Sequence, residues 1–244
     1  MKKYSNIICF GDSYTNEESV YKNIGYLDIF KERGYEFKSY PKVLSEYYNA
    51  PYETFGAGGM PIHFVISELI KKMGYILSLE KPLVLFQFGF FCNAILKYDS
   101  DTELIWKDLI PSKIGNEIFL PVNKQEVISN MSLEDKLSIL NWFEKFEDKR
   151  NYYYIDTFIS LCKFLNTQKK IDIFGFLLSR ANFDVPDNRF ILKLSEQGWS
   201  PGTEAICDVF KDLTDTHKST KGNIDLTHNI INQIKTKVEI QHII

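Results

Sequence analysis

The chain has 244 residues, of which 44% are hydrophobic and 25% are charged, which suits one large domain, or a domain with an insertion, around a sizeable core. The formal net charge is -3 and the charged residues are scattered, so nothing in the composition indicates a nucleic-acid partner. No apolar run approaches the roughly 18 residues of a membrane span, and we therefore expect no membrane partner.

The cysteines and the amino terminus predict the compartment. The cysteines lie far apart and form no CxxC pair, so they signal neither a zinc site nor a disulfide framework. We interpret them as buried thiols of a reducing compartment: Cys9, Cys92, Cys162 and Cys207. The apolar run near the amino terminus is about four residues long, against the roughly 7 to 15 of a signal peptide. The sequence therefore predicts a cytoplasmic protein.

The first predicted strand is the apolar run Ile7–Phe10, which the turn-forming residues Gly11 and Asp12 end. Ser13 follows directly. Ligands of open parallel sheets bind just beyond the carboxyl ends of the strands, so Ser13 is well placed to be a nucleophile. Such a serine needs a base, an orienting acid and oxyanion donors.

Strands and helices then alternate. The segment from Asn16 to Ser39 has no clear periodicity and is predicted as a long loop over the carboxyl end of the sheet. A helix is predicted from Pro41 to Asn49. Tyr52–Phe55 is predicted as the second strand, and a glycine-rich turn follows it at once. The apolar spacing from Pro61 to Met73 is helical again.

The third predicted strand, Pro82–Phe88, is apolar at nearly every position, which is typical of a strand covered on both faces. The alternation of such strands with helices indicates an α/β fold. We predict a single domain, residues 1–244, with three layers (α/β/α) around a central parallel sheet.

The regular alternation stops at about residue 94 and resumes after residue 168. Ser132 and Asp135 resemble a capping box ahead of the helical stretch LSILNWFEKF. A second helical stretch runs from Tyr152 to Leu165. We therefore predict a helical insertion over about 94–168.

Three elements are predicted in the last part of the chain. Ile171–Phe176 has the apolar composition of a core strand, and Phe190–Leu194 that of a short further strand. The closing helix is predicted from about Ser219 to Lys235. Its candidate buried residues are Ile224, Ile230, Ile231 and Ile234.

Four histidines are candidate bases for Ser13, and three of them occupy positions where an ordinary structural role is more common. His242 lies in the terminal tail, where order is not expected. His228 lies inside the closing helix, and His63 lies at the start of a helix. Packing or surface roles are favoured for these three.

His217 differs because it lies in the loop DLTDTHKSTKGN, immediately before the closing helix, with Asp215 two residues earlier and Ser219 as the expected helix cap. A base held by a carboxylate is the arrangement that serine hydrolysis needs. The alternative is that Asp212, Asp215 and His217 merely solvate a turn. The residues alone leave both interpretations open.

Three stretches of the sequence together resemble the GDSL, or SGNH, hydrolases. CFGDSYT resembles the first motif of that family, a GDS turn that carries the serine after the first strand. DTHKSTKGN resembles the last block, in which an Asp and a His lie close together. TFGAGG resembles the second block, whose glycine amide helps to form the oxyanion hole. The pairing of a GDS turn with DTH near the carboxyl terminus is fairly specific.

The resemblance implies that Ser13 is the nucleophile, His217 the general base and Asp215 its orienting partner. It also implies an oxyanion hole formed by the amides of Ser13 and Gly59, with Asn93 as a side-chain donor. The implied fold is SGNH-hydrolase-like, with a flavodoxin-like sheet. No cofactor or metal is implied.

The oxyanion-hole blocks depart from the family pattern. The third block reads GFFCN, with Phe91 where the family has an Asn, so a role for Asn93 requires a bulge after Gly89. The second block has Thr54 where an Asn is usual.

The acid–base block also leaves alternatives open. The Asp215–His217 spacing is shorter than the commonest form, so Asp212 is a possible substitute for the acid. Asp225 and His228 have the commoner spacing but fall inside the predicted closing helix, and they form a minor rival pair.

The resemblance implies a serine esterase that cleaves a carboxylic ester through an acyl-enzyme, with a small-molecule or glycan ester as substrate. An O-acyltransferase that uses the same residues is the nearest alternative. A catalytically silent SGNH-like module that binds a glycan or a partner is the alternative from a different class. The GxSxG, HExxH and Walker-type motifs of other enzyme classes are absent from the sequence.

Overall fold

A computed structural model describes part of the chain, and this described part contains two sheets and seven helices. The described residues are 4–56, 62–88, 95–99, 102–106, 113–114, 117–120, 153–169, 171–177, 187–194, 204–213, 215 and 217–241. The strands, in chain order, are β1 (Asn6–Gly11), β2 (Tyr52–Gly56), β3 (Pro82–Phe88), β4 (Ile95–Asp99), β5 (Thr102–Trp106), β6 (Lys113–Ile114), β7 (Glu117–Leu120), β8 (Asp172–Leu177) and β9 (Ile191–Leu192). The helices are α1 (Glu17–Asn23), α2 (Tyr26–Glu32), α3 (Tyr40–Tyr48), α4 (Ile62–Ser78), α5 (153–168), α6 (Ile206–Val209) and α7 (Thr220–Gln241).

The central sheet has five strands in the order β2-β1-β3-β8-β9, and all neighbouring strands pair in parallel. After β1 the chain moves to one side of the sheet to form β2, and it then crosses back to form β3 on the other side. This reversal creates a crevice between the carboxyl ends of β1 and β3, the place where doubly wound sheets bind their ligands. The predicted α/β fold with a central parallel sheet is confirmed.

Side chains of alternate strand residues enter two separate cores, one on each face of the sheet. In β1, Ile8 and Phe10 pack in a core with α4 and α5, whereas Ile7 and Cys9 pack in a core with α3 and α7. Both faces are therefore covered by helices. This explains why β3 is buried at all seven positions and reads as a nearly continuous apolar run.

Most predicted elements are confirmed within a few residues at their ends. The strand at Pro82–Phe88 has the predicted bounds. The helix predicted over 61–73 extends to Ser78, and the closing helix extends to Gln241. In the closing helix, Ile230, Ile231 and Ile234 are buried as predicted, whereas Ile224 is only partly buried.

The prediction of a long loop from Asn16 to Ser39 is wrong, because this segment contains α1 and α2. Each helix has only seven residues, which is too short for an apolar repeat to stand out in the sequence. Their aromatic side chains form a third buried cluster. Its core members are Tyr21, Phe30, Phe37 and Ile206.

The predicted helical insertion over 94–168 needs correction at both ends. The described residues between 95 and 120 form four short strands, not helices. These strands pair in the order β4-β5-β7-β6. Helix α5 buries Ile155, Phe158 and Cys162 in the core of the central sheet. It is therefore a connecting helix of the sheet between β3 and β8. The predicted capping box at residues 132–135 lies outside the described residues.

The carboxyl ends of β1 and β2 approach so closely that only a glycine fits at position 56. Gly11 pairs with Gly56 in the parallel ladder, and a Cβ atom on Gly56 would lie 1.8 Å from the carbonyl oxygen of Gly11. We expect Gly56→Ala to lower the free energy of unfolding by roughly 1 to 3 kcal/mol, as overpacking does. Urea unfolding monitored by circular dichroism measures this change.

Gly74→Ala is the matched control for that variant. Gly74 is an exposed residue inside α4, and a Cβ atom there would meet no atom within 4 Å. Alanine is favoured over glycine in helix interiors by about 0.5 to 1 kcal/mol, so this variant should be more stable than the wild type. Equal effects of the two substitutions would contradict the close approach of the strands.

Candidate active site

Ser13 lies in a tight turn between β1 and α1, and Asp12 builds this turn. The Oδ1 atom of Asp12 accepts a hydrogen bond from the backbone N–H of Tyr14 at 3.0 Å. The carbonyl oxygen of Asp12 accepts hydrogen bonds from the backbone N–H groups of Thr15 and Asn16, both at 3.1 Å. These bonds fix the backbone on both sides of Ser13 at the end of the sheet.

A buried glutamine of β3 forms hydrogen bonds with the same turn. Gln87 is the one polar residue in the apolar run of β3, and it is only 1% exposed. Its Nε2 atom donates to Asp12 Oδ1 at 2.8 Å, and its Oε1 atom accepts from Thr15 Oγ1 at 2.6 Å. The hydroxyl of Tyr40 completes the network at 2.9 Å from Thr15 Oγ1. The turn that contains Ser13 is therefore hydrogen-bonded to the strand on the other side of the crevice.

The structure brings Ser13, Asp215 and His217 together, as the sequence predicts. His217 Nε2 lies 2.8 Å from Ser13 Oγ, although the two residues are 204 positions apart. His217 Nδ1 lies 2.6 Å from Asp215 Oδ1, which also accepts the backbone N–H of His217 at 2.8 Å. With Nδ1–H donating to the carboxylate, Nε2 has a free lone pair that faces the serine hydroxyl.

The charge of Asp215 is stabilised by its partners. Burial alone would raise the pKa of this carboxyl, but hydrogen bonds from His217 and its charge outweigh burial, and the pKa lies below its usual value. The side chain of Asp215 is 11% exposed and that of His217 is 20% exposed. Asp215 is thus an ionised carboxylate in a largely buried contact, and it can orient an imidazole and stabilise an imidazolium.

Two tyrosines enclose the imidazole ring of His217. The ring of Tyr14, the residue after the serine, lies 4.4 Å from it at an interplanar angle of 39°. The ring of Tyr21 from α1 lies 6.0 Å away, edge to face. Neither contact with His217 is predicted from the sequence, because both depend on the turn and on a helix that the sequence did not predict.

The loop that contains Asp215 and His217 is held by an antiparallel pairing with the segment around α6. The backbone N–H of Ile206 donates to the carbonyl of His217, and that of Cys207 to the carbonyl of Asp215, both at 2.9 Å. The Oγ atom of Ser219 accepts a hydrogen bond at 3.1 Å from the backbone N–H three residues later. Ser219 therefore caps α7, as predicted.

The rival acids and bases lie elsewhere. Asp212 forms a two-pronged ion pair with Arg33, at 2.7 and 2.8 Å, on the protein surface. Its hydrogen bond with Arg33 lowers the pKa of this carboxyl to about 2. Asp225 and His228 are exposed on α7. Among the predicted alternatives, only Asp215 contacts the imidazole that faces Ser13.

The other predicted residues are placed only in part. Gly59 and Asn93, the predicted oxyanion donors besides Ser13, lie outside the described residues, as does His242, and their roles stay predictions. His63 is the second residue of α4. Thr54 donates a hydrogen bond from Oγ1 to Asn16 Oδ1 at 3.0 Å, and it thereby supports the start of α1.

Within the described ranges, no three His, Cys, Asp or Glu side chains are grouped so that they could hold a metal ion. Among the helices described, none combines the length and the apolar character that crossing a membrane requires. Comparisons of the chain with protein-family models, with curated proteins and with solved structures find no match.

Proposed function

We propose that this protein is a serine hydrolase that cleaves a carboxylic ester through an acyl-enzyme, with Ser13 as nucleophile. The observation that carries the proposal is the continuous contact from Ser13 Oγ to His217 Nε2 and from His217 Nδ1 to Asp215. The position of this contact supports the proposal further, because Ser13 lies where the chain reverses between β1 and β3, the usual ligand site of such sheets. The resemblance of the GDS and DTH segments to SGNH hydrolases points to the same chemistry.

The proposed reaction begins when Ser13 Oγ attacks the ester carbonyl carbon while its proton moves to His217 Nε2. The imidazolium that forms is stabilised by Asp215, which stays ionised. Collapse of the tetrahedral intermediate breaks the bond to the leaving alcohol, which takes the proton from Nε2. Water then attacks the acyl-enzyme with the same proton transfers in reverse, and the acid product and free Ser13 are released.

The proposal is tested with a fluorophosphonate probe, which reacts covalently with activated serines. We expect labelling of the wild-type protein at Ser13, identified by mass spectrometry of the labelled peptide, and a burst of p-nitrophenol from p-nitrophenyl acetate. Ser13→Ala should abolish both signals. Ser78→Ala, which changes an exposed serine at the end of α4, is the control and should keep both.

A wild-type protein that folds but gives neither label nor burst would overturn the proposal. The chain would then fit a module that binds a glycan or a protein partner without chemistry. Labelling that persists in Ser13→Ala would place the reactive serine elsewhere.

A further inference from the structure

A fully buried glutamate lies behind the proposed catalytic residues. Glu17 is the first residue of α1, four positions after Ser13, and its side chain has no solvent exposure. Its Oε2 atom accepts a hydrogen bond from Asn223 Nδ2 at 2.8 Å. Asn223 lies in the first turn of α7, six positions after His217. This buried hydrogen bond therefore joins the segment of Ser13 to the segment of His217, in addition to the contact between those two residues.

Two acceptor atoms of this pair lack a donor. Within the described residues, Glu17 Oε1 and Asn223 Oδ1 are both buried without a hydrogen-bond partner. An ionised glutamate has only acceptors, so it cannot satisfy the amide oxygen of Asn223. A proton on Glu17 changes this, because a carboxylic acid and a carboxamide can exchange two hydrogen bonds. A proton on Glu17 would thus give both atoms a partner, and each atom is costly to bury without one.

The charged and titratable groups around Glu17 come from two elements. The loop before α7 contributes the Asp215 carboxylate and Lys218, and α1 contributes Tyr21. Burial raises the pKa of Glu17 well above its usual range, and Asp215 acts in the same direction. The hydrogen bond from Asn223, the charge of Lys218 and an interaction with the Lys218 backbone N–H oppose this rise in pKa. Burial also lowers the pKa of Lys218 to about 8, although Glu17 and Asp225 act against that shift.

Tyr21 connects Glu17 to the proposed active site. It lies one helical turn after Glu17, and its ring meets the His217 ring edge to face. Its hydroxyl makes no hydrogen bond of normal geometry, yet it lies close enough to Asp215 to help lower the pKa of that carboxyl. The face of α1 that contains Glu17 and Tyr21 therefore packs close to Asp215 and His217.

We infer that Glu17 is an uncharged carboxylic acid in the folded protein and that, paired with Asn223, it positions the base against the nucleophile. The positioning role rests on the proposed function, whereas the protonation state does not. An uncharged Glu17 adds no second negative charge beside Asp215. Asp215 is then the ionised carboxylate in contact with His217.

The protonation state is tested by the pH dependence of unfolding, which needs no enzyme activity. Between about pH 4.3, where glutamate titrates in an unfolded chain, and the higher pKa of folded Glu17, the folded state binds one proton more than the unfolded state. Rising pH therefore removes stability from the wild type through this group. The unfolding constant of the wild type should increase about tenfold per pH unit relative to that of Glu17→Gln.

If the ratio of the unfolding constants of the wild type and Glu17→Gln stays the same from pH 5 to pH 8, the inference is overturned. Failure of Glu17→Gln to fold would also overturn it, because the amide reproduces both hydrogen bonds of a neutral acid. Glu18→Gln is the matched control. Glu18 is the next residue of α1, and its carboxylate instead accepts hydrogen bonds from the hydroxyls of Ser39 and Tyr52.

The positioning role is tested by the rate at which a fluorophosphonate labels Ser13 between pH 5 and 9. Glu17→Gln should label at nearly the wild-type rate with the same pH profile. Glu17→Leu, which cannot pair with Asn223, should label roughly 10- to 100-fold more slowly, because small displacements of catalytic groups cost about that much.

The outcomes test the protonation state of Glu17 and its positioning role separately. A pH profile of Glu17→Gln that is shifted to lower pH would show that Glu17 is charged in the wild type. A folded Glu17→Leu protein that labels normally would overturn the positioning role. If the wild type itself is not labelled, the proposed function fails, and the unfolding experiment still decides the state of Glu17.

Discussion

Asp215→Asn should lower the rate of Ser13 labelling and of ester cleavage by about 10⁴-fold. The amide cannot accept the Nδ1–H of His217 as a carboxylate does, so the imidazole loses the tautomer in which Nε2 faces Ser13. It also leaves the imidazolium without a counter-charge. Pre-steady-state cleavage of p-nitrophenyl acetate measures the acylation step directly.

Asp212→Asn is the matched control, because it makes the same chemical change three residues earlier on the exposed Arg33 pair. Exposed ion pairs contribute little, and we expect wild-type rates and nearly wild-type stability from this variant. If Asp212→Asn lost the activity and Asp215→Asn kept it, the acid would be assigned to the wrong residue.

Asp215→Asn also tests a pH effect on stability. The pKa of Asp215 is lower in the folded protein than its ordinary 3.8, so ionised Asp215 stabilises the folded state above that value. This contribution is lost as the pH falls through the folded-state pKa. Acid should therefore reduce the stability advantage of the wild type over Asp215→Asn, and melting temperatures at pH 7 and at pH 3 measure it.

The sequence predicts those features of this protein that depend on short stretches of chain. The run Pro82–Phe88 predicts its strand because a strand covered on both faces must be apolar throughout. The GDS turn and the DTH loop point to Ser13 and His217 as candidate catalytic residues, because each motif contains its own turn-forming residues. The order of the strands then brings these two loops to the same edge of the sheet.

The features that the sequence did not predict depend on contacts between distant segments. Asp215 is the predicted acid, but the sequence leaves Asp212 as a possible substitute, because spacing does not encode which side of the turn faces the imidazole. The role of Gln87 is not predicted either, although a single polar residue inside a buried apolar run is itself a signal of a buried hydrogen-bond partner. Glu17 lies in a helix of seven residues, whose only sequence signal is an acidic first turn after Asn16.

The prediction with the largest expected effect on stability concerns α5, which the sequence assigned to an insertion. Phe158 is completely buried, and its ring lies 4.8 Å from that of Phe86 and 5.1 Å from that of Phe88. It also fills the space above Gly175, where a Cβ atom would lie 2.8 Å from the Phe158 ring. We expect Phe158→Ala to lower the free energy of unfolding by about 3 to 5 kcal/mol.

Phe164→Ala, on the same helix, is the control for this variant. Phe164 is 50% exposed, and its replacement should change the free energy of unfolding by no more than about 0.5 kcal/mol. Denaturant unfolding of both variants decides whether α5 belongs to the core or to an appended segment. Small and equal effects would mean that α5 is dispensable to the sheet. A large loss confined to Phe158→Ala would make α5 part of the support of β3, whose Gln87 holds the turn of Ser13.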